Sequence, residues 1–191
     1  MKKKIGFWIW LSWLVATPLW AGAAGDAPID DPAKMVSNGI ERLLVFLRQP
    51  GNRNPAAMER YVQREIAPAF DFDYMSRWVA GPAARRMTPE QRQRFKAVFS
   101  ERFLKMVVGQ LVKFAVAGRI QVLPSRRVRG NQATVSVLLG ERRGYPARVD
   151  FRMYRSPAGW RVFDVAANGS SLLAYFRRQF ASGTPPRRAW R

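Results

Sequence analysis

A change of hydrophobic period past the middle of the chain places this sequence in the α+β class. Before Gly118, apolar residues recur every three or four positions behind four helix-start signals; after it, they alternate in twos between turn residues. Helices gathered in one block and antiparallel strands in the next pack as a helical layer on one face of a sheet. Such a sheet can close over a solid core or around a cavity, and the alternation is the same in both cases.

The longest helix is expected at 88–117. Thr88, Pro89 and Gln91 stand where an N-cap hydroxyl, an N1 proline and a capping-box partner belong. Phe95, Val98, Phe99, Phe103, Met106 and Val107 then form one stripe, and Leu104, Val108, Leu111 and Val112 widen it, so the second half needs cover on several sides. Its apolar part is too short, and its start too charged, to span a bilayer.

Three helices precede it. Asp31 and Pro32 start the first, with Met35, Val36, Ile40, Leu43, Leu44 and Leu47 on one side. Asn54 and Pro55 start the second, which carries Met58, Tyr61, Val62 and Ile66 and is expected to stop before Pro68. Asp71 caps the third, which turns Met75, Trp78 and Val79 inward and ends at Gly81.

Beyond Gly118 a short strand carries Ile120 and Val122, and Arg126, Arg127 and Arg129 read as a loop. A second strand alternates Ala133, Val135, Val137 and Leu139 with polar partners. A turn ends at Gly144. Val149, Phe151 and Met153 then alternate with Arg148, Asp150 and Arg152, and a turn at 156–159 leads into a strand at 160–165. Gly169 or Ser170 starts a last helix carrying Leu172, Leu173, Phe176 and Phe180.

The N-terminus has a different composition. Lys2, Lys3 and Lys4 precede an apolar run and then Ala21, Gly22 and Ala23, the order of a secretory signal peptide cleaved after residue 23. A linker at 24–30, a domain at 31–182 and a mobile basic tail at 183–191 follow. With the signal go three lysines and no acid, so the net charge falls from +20 to +17. An exported chain this basic suits an anionic membrane surface or an acidic protein, and export argues against nucleic acid.

The chain has no His and no Cys, which removes the commonest general base, the thiolate nucleophile, most transition-metal ligands and any disulfide. Asp71 and Asp73 form a close carboxylate pair, read here as helix caps before a catalytic dyad. No phosphate-binding glycine loop is present.

Five stretches in order carry a resemblance: I-A-P-A-F-D-F at 66–72, T-P-E-Q-R-Q-R-F-K-A-V-F at 88–99, V-D-F-R-M at 149–153, G-W-R-V-F-D-V at 159–165 and G-S-S-L-L-A-Y-F-R-R-Q-F at 169–180. The chain resembles the MlaC, or toluene-tolerance, family of periplasmic phospholipid-binding proteins. The resemblance implies a helical layer on a strongly curved antiparallel sheet of nuclear-transport-factor type, enclosing an apolar pocket that takes acyl chains and leaves the head group outside. It implies a periplasmic carrier without enzymatic activity, cofactor or metal. Its partners would be an outer-membrane lipoprotein complex and an inner-membrane ABC transporter with an MCE-domain subunit, and a related branch of the family accompanies hopanoid biosynthesis. By position, Phe70, Phe72, Met75, Phe99, Phe103, Met106, Val149, Phe151, Met153 and Val165 are the lining candidates, though packing in an ordinary core would also place them inside. The chain departs from the family pattern at Ser170, where an aliphatic residue is usual, and in its ending on Pro185, Pro186 and arginines. Two other readings stand beside this one: an exported adaptor that binds acidic partners through its arginines, and an enzyme dependent on Asp71 or Asp73.

Overall fold

The computed structural model of the protein describes residues 31–52, 54–117, 120–140 and 146–182. The expected signal peptide, the linker, the change of period at Gly118, the turn at Gly144 and the basic tail lie outside the described residues, as do the side chains of Leu111 and Arg127.

Helix α1 covers Pro32–Arg48, and the Asp31 carboxylate accepts the Ala33 amide at its start. Val36, Ile40, Leu43 and Leu47 form its buried face. Helix α2, Pro55–Tyr61, begins on the Asn54 side-chain oxygen, which accepts the Ala57 amide at 2.8 Å. Pro68 does not end the coil. Regular α-helix stops at Tyr61, a wider π turn runs over Val62–Ile66, and a 3₁₀ turn over Ala67–Ala69 contains Pro68 itself. Proline is tolerated there because the first turn of a helix leaves its N–H groups without intrahelical partners, so the donor missing from Pro68, the second residue of that turn, costs no bond.

Asp71 caps α3, Phe72–Ala80, by accepting the Tyr74 amide at 2.9 Å. The helix ends at Gly81, whose φ of +55° favours glycine, and a 3₁₀ turn over Gly81–Arg85 leads on. Met75 and Val79 are buried; Trp78 is only half-buried, lying beneath the Arg177 guanidinium at 4.6 Å. The capping box of α4, Pro89–Ala117, is made in both directions: Thr88 Oγ1 accepts the Gln91 amide and Gln91 Oε1 accepts the Thr88 amide. Phe99, Phe103, Leu104, Val107 and Val108 are buried along it. Val98, expected on the same stripe, is 48% exposed, because the neighbours that cover Phe95 and Phe99 do not extend across the flank it occupies.

The strands form one antiparallel sheet in the order β1-β3-β4-β5-β6, from β1 (Ile120–Val122), β3 (Gln132–Leu139), β4 (Ala147–Ser156), β5 (Gly159–Ala167) and β6 (Ser170–Ser171). Arg126–Arg129, read as a loop, is strand β2, which pairs with the same edge of β3 as β1 does. Val137, Val149 and Ala167 share one row, Val135, Phe151 and Val165 the next, and Ala133, Met153 and Val162 a third, so these residues share the inner face. Bulges between Arg127 and Arg129 and between Arg152 and Met153 add twist and bend the sheet.

The last helix starts later than expected. Asn168 and Gly169 both have positive φ, 47° and 83°, and make a two-residue hairpin turn that pairs Ala167 with Ser170. Ser171 therefore caps α5, Leu172–Ala181, accepting the Ala174 amide at 3.0 Å. Leu172, Leu173 and Phe176 are buried, while Phe180 is 38% exposed with its ring packed on Phe95.

Candidate functional site

Between α1 and the inner face of the sheet lies a cavity of about 90 Å³. Val36, Gly39, Ile40 and Leu43 of α1 form one wall, and Phe151 of β4 with Val162 of β5 form the facing one. Ile66, Ala69 and Phe70 close it from the π and 3₁₀ turns, and Val107 from α4. Apart from Arg42, Tyr61 and Glu65 on its outer side, every residue lining it is apolar. Gly39 matters because a Cβ there would meet nothing within 4 Å: a half-buried position beside Val36, Ile40 and Leu43, on the rim of the cavity, is left open.

Outside this cavity an open groove of about 530 Å³ runs between α1 and the α2–π segment, lined by Asn38, Glu41, Val45, Phe46, Gln49 and Arg64. Arg42, Tyr61 and Glu65 line both spaces. Tyr61 is 7% exposed and stacks on Phe46 with ring centroids 4.1 Å apart, which makes it the partition between groove and interior. Burial raises the pKa of its phenol, aided by nearby Glu65 and opposed by Arg42 and Arg64. The mouth of the cavity thus carries charges of both signs, from Glu41, Arg42, Arg64 and Glu65, around the Tyr61 ring.

Of the ten lining candidates, Phe70 and Phe151 reach the cavity. Phe72, Phe99 and Phe103 instead join Phe70 and Phe176 in a cluster of rings with centroids 5.4–6.1 Å apart, edge-on, tilted or stacked, the spacing that aromatic quadrupoles favour. Met75 and Met153 have no exposed surface, Val149 and Val165 sit in the inner rows of the sheet, and Met106 packs partly buried against the core. The α1 residues were absent from that list. Their signal was present as a glycine interrupting an otherwise apolar helical stripe.

The Asp71–Asp73 pair separates. Asp71 Oδ2 accepts the Tyr154 hydroxyl at 2.5 Å and its backbone N–H donates to Val162 O, tying the start of α3 to β4 and β5. Burial raises the Asp71 pKa, but the Tyr154 hydroxyl, the Tyr74 amide, Arg77 and Arg161 outweigh it and hold the carboxyl below its ordinary range. Asp73 points away, 66% exposed, to Lys96 at 2.9 Å. Among the described residues no group of three or more acidic, His or Cys side chains could hold a metal, and no helix is long and apolar enough to cross a membrane.

These features define an α+β protein whose helical layer and open sheet close over an apolar cleft. The sequence profile of the family described as MlaC protein matches residues 38–184. The chain belongs to the MlaC family. A toluene tolerance protein, ttg2D, of Pseudomonas putida is 29% identical over 129 residues, 67% of this chain and 60% of that protein, so the chain spans less than two thirds of that relative. A phospholipid-binding protein from Ralstonia solanacearum, solved in complex with a phospholipid, superimposes with a TM-score of 0.69 at 25% identity, covering 80% of this chain and 86% of that one.

Proposed function

We propose that this protein is a periplasmic phospholipid carrier whose acyl chains occupy the cleft between α1 and the sheet. The observation that carries the reading is the hydrocarbon-lined cavity with a charged mouth; family membership and the phospholipid bound to the Ralstonia protein support it. Two acyl chains of roughly 30 methylenes, at about 0.8 kcal/mol each, cost on the order of 20 kcal/mol to leave in water. A carrier hides them without chemistry. Because pocket and bilayer are both apolar, transfer between them is nearly balanced, and direction comes from partners: an outer-membrane lipoprotein complex and an inner-membrane ABC transporter with an MCE-domain subunit.

At about 90 Å³ the cavity falls short of the ~300–1,000 Å³ typical of ligand pockets, so loading requires one wall to move. That wall is α1 with the α2–π segment. α2 has only seven residues, and the π turn that follows it is a rare conformation, frequent at functional sites, that leads into a 3₁₀ turn of poorer hydrogen-bond geometry than α-helix. Displacing Tyr61 from Phe46 joins the outer groove to the interior. Phe70 and Phe151 then contact the chains directly, and Phe72, Met75, Phe99, Phe103, Met106, Val149, Met153 and Val165 back the pocket as it widens.

Mass spectrometry of the intact protein under native conditions tests this. Wild type purified from cells carries a lipid-sized mass that organic solvent extracts; Gly39→Phe fills the cavity and loses that mass, with stability changed by about 1–3 kcal/mol at most. Wild-type protein repeatedly free of lipid refutes the proposal and returns the chain to the adaptor class.

A further inference from the structure

The side of the sheet turned away from the cleft is an arginine face. Cross-strand registers put Arg126, Thr134, Arg152 and Asp164 in one row, Arg129 with Gln132 and Tyr154 in a second, and Arg148 with Leu138 in a third, all alternating with the inward Val149, Phe151 and Met153. Arg126, Arg129, Arg148 and Arg152 are exposed. Among the described residues the acids on this face are sunk: side-chain exposure is 17% for Asp150 and 4% for Asp164, against 50% for Arg148 and 44% for Arg152. Solvent therefore meets cations.

The acids also orient two of those cations. Asp150 Oδ1 accepts from Arg148 Nε at 2.8 Å and from the Ser136 hydroxyl at 2.6 Å, while a terminal nitrogen of Arg148 donates to Ser136 Oγ at 2.9 Å. Asp164 Oδ2 accepts from Arg152 at 3.0 Å and its other oxygen accepts the buried Leu173 amide, so this carboxylate is locked by α5. Guanidiniums held this way keep further N–H donors facing outward with little rotamer freedom left to lose, which suits planar carboxylates.

We propose that this outer sheet face docks an acidic protein partner through Arg126, Arg129, Arg148 and Arg152. A bilayer is the poorer match for two reasons. Among the described residues the exposed large hydrophobics, Val45, Tyr74, Val98 and Phe180, all lie on helices, and Tyr74 alone is linked to this face, through Phe163 to Tyr154, so the face offers one exposed ring rather than the apolar stripe of interfacial membrane binding. The groove and cavity open on the α1 side, so a membrane laid on the arginines would sit opposite the mouth, whereas a protein held there leaves the mouth free. The inference uses the carrier reading only for the position of the mouth.

Binding of the full chain to immobilised poly-L-glutamate and to phosphatidylglycerol vesicles, at physiological salt, tests it. R126Q/R129Q/R148Q/R152Q weakens poly-L-glutamate binding on the order of tenfold. The control R60Q/R92Q/R94Q/R102Q, which removes the same charge from exposed positions on α2 and α4, retains most of it. R126Q/R129Q, which leaves both ion pairs intact, shows about a threefold part of the loss and guards against misfolding. Equal weakening in the two quadruple variants, or no change in the double, overturns the proposal, as does sheet-dependent binding to vesicles alone. Native mass spectrometry of each variant reads lipid content separately, so a lost docking face and a failed carrier are told apart.

Discussion

The two walls of the interior are built differently. On the α3–α4–α5 side, Phe103, Met75 and Leu104 are essentially without exposed surface and the rings of Phe70, Phe72, Phe99 and Phe176 meet around Phe103, each contact fixed by quadrupole geometry and dense packing. On the α1–α2 side a glycine stands where a side chain would fit, a seven-residue helix passes into a π turn, and a void remains. A close-packed wall is bistable or fixed, but it does not yield by degrees; a wall with a void can move at small cost. The contrast assigns the scaffold to one side and the moving part to the other.

The largest effect belongs to the rigid wall. Phe103→Ala costs about 3–5 kcal/mol in urea unfolding, whereas Ile40→Ala, beside a space already empty, falls near the lower end of the ~2–5 kcal/mol range for such truncations. Equal costs would show both walls to be packed alike.

Next comes the seam between them, where Asp71 ties the Phe70 turn to β4 and β5. Asp71→Asn keeps an N-cap but loses the charge-assisted bond to Tyr154, and lowers stability at neutral pH by about 1 kcal/mol. Because the folded-state pKa of Asp71 lies below its ordinary 3.8, the wild-type advantage is complete above that value and fades as pH falls through the lower one. Urea unfolding of both proteins at neutral pH and well below pH 3.8 checks this: a gap that persists in acid would mean that the carboxylate charge contributes nothing.

The smallest effect has the opposite sign. Gly39→Ala places a methyl in open space on a helix and stabilises by about 0.5–1 kcal/mol, read as a rise in melting temperature. Destabilisation would mean that α1 sits closer to the sheet than the cavity implies.

Local rules carried far in this chain. Asp31, Asn54, Asp71 and Thr88 cap the helices they precede, and the alternation at 133–139 and 149–153 marks the inner rows of the sheet. The last helix is capped by Ser171 and not by Gly169 or Ser170: Asn168-Gly169 is a recognisable hairpin turn, but a glycine followed by serine also reads as a helix start. β2 was missed because its arginines have no apolar alternation to mark it; pairing with β3 makes it a strand.

Burial order along a helix or strand, and the chemistry that starts and stops each one, follow from neighbours within a few positions, so composition and spacing settled the α+β class, the caps of α1 to α4 and most of the inward faces. Which inward faces meet tightly is a matter of residues far apart in the chain. Phe99 and Gly39 both lie on inward sides of their helices, yet one is enclosed by rings from its own helix and two other segments and the other faces open space, because packing is decided by the shapes that the folded backbone brings into opposition.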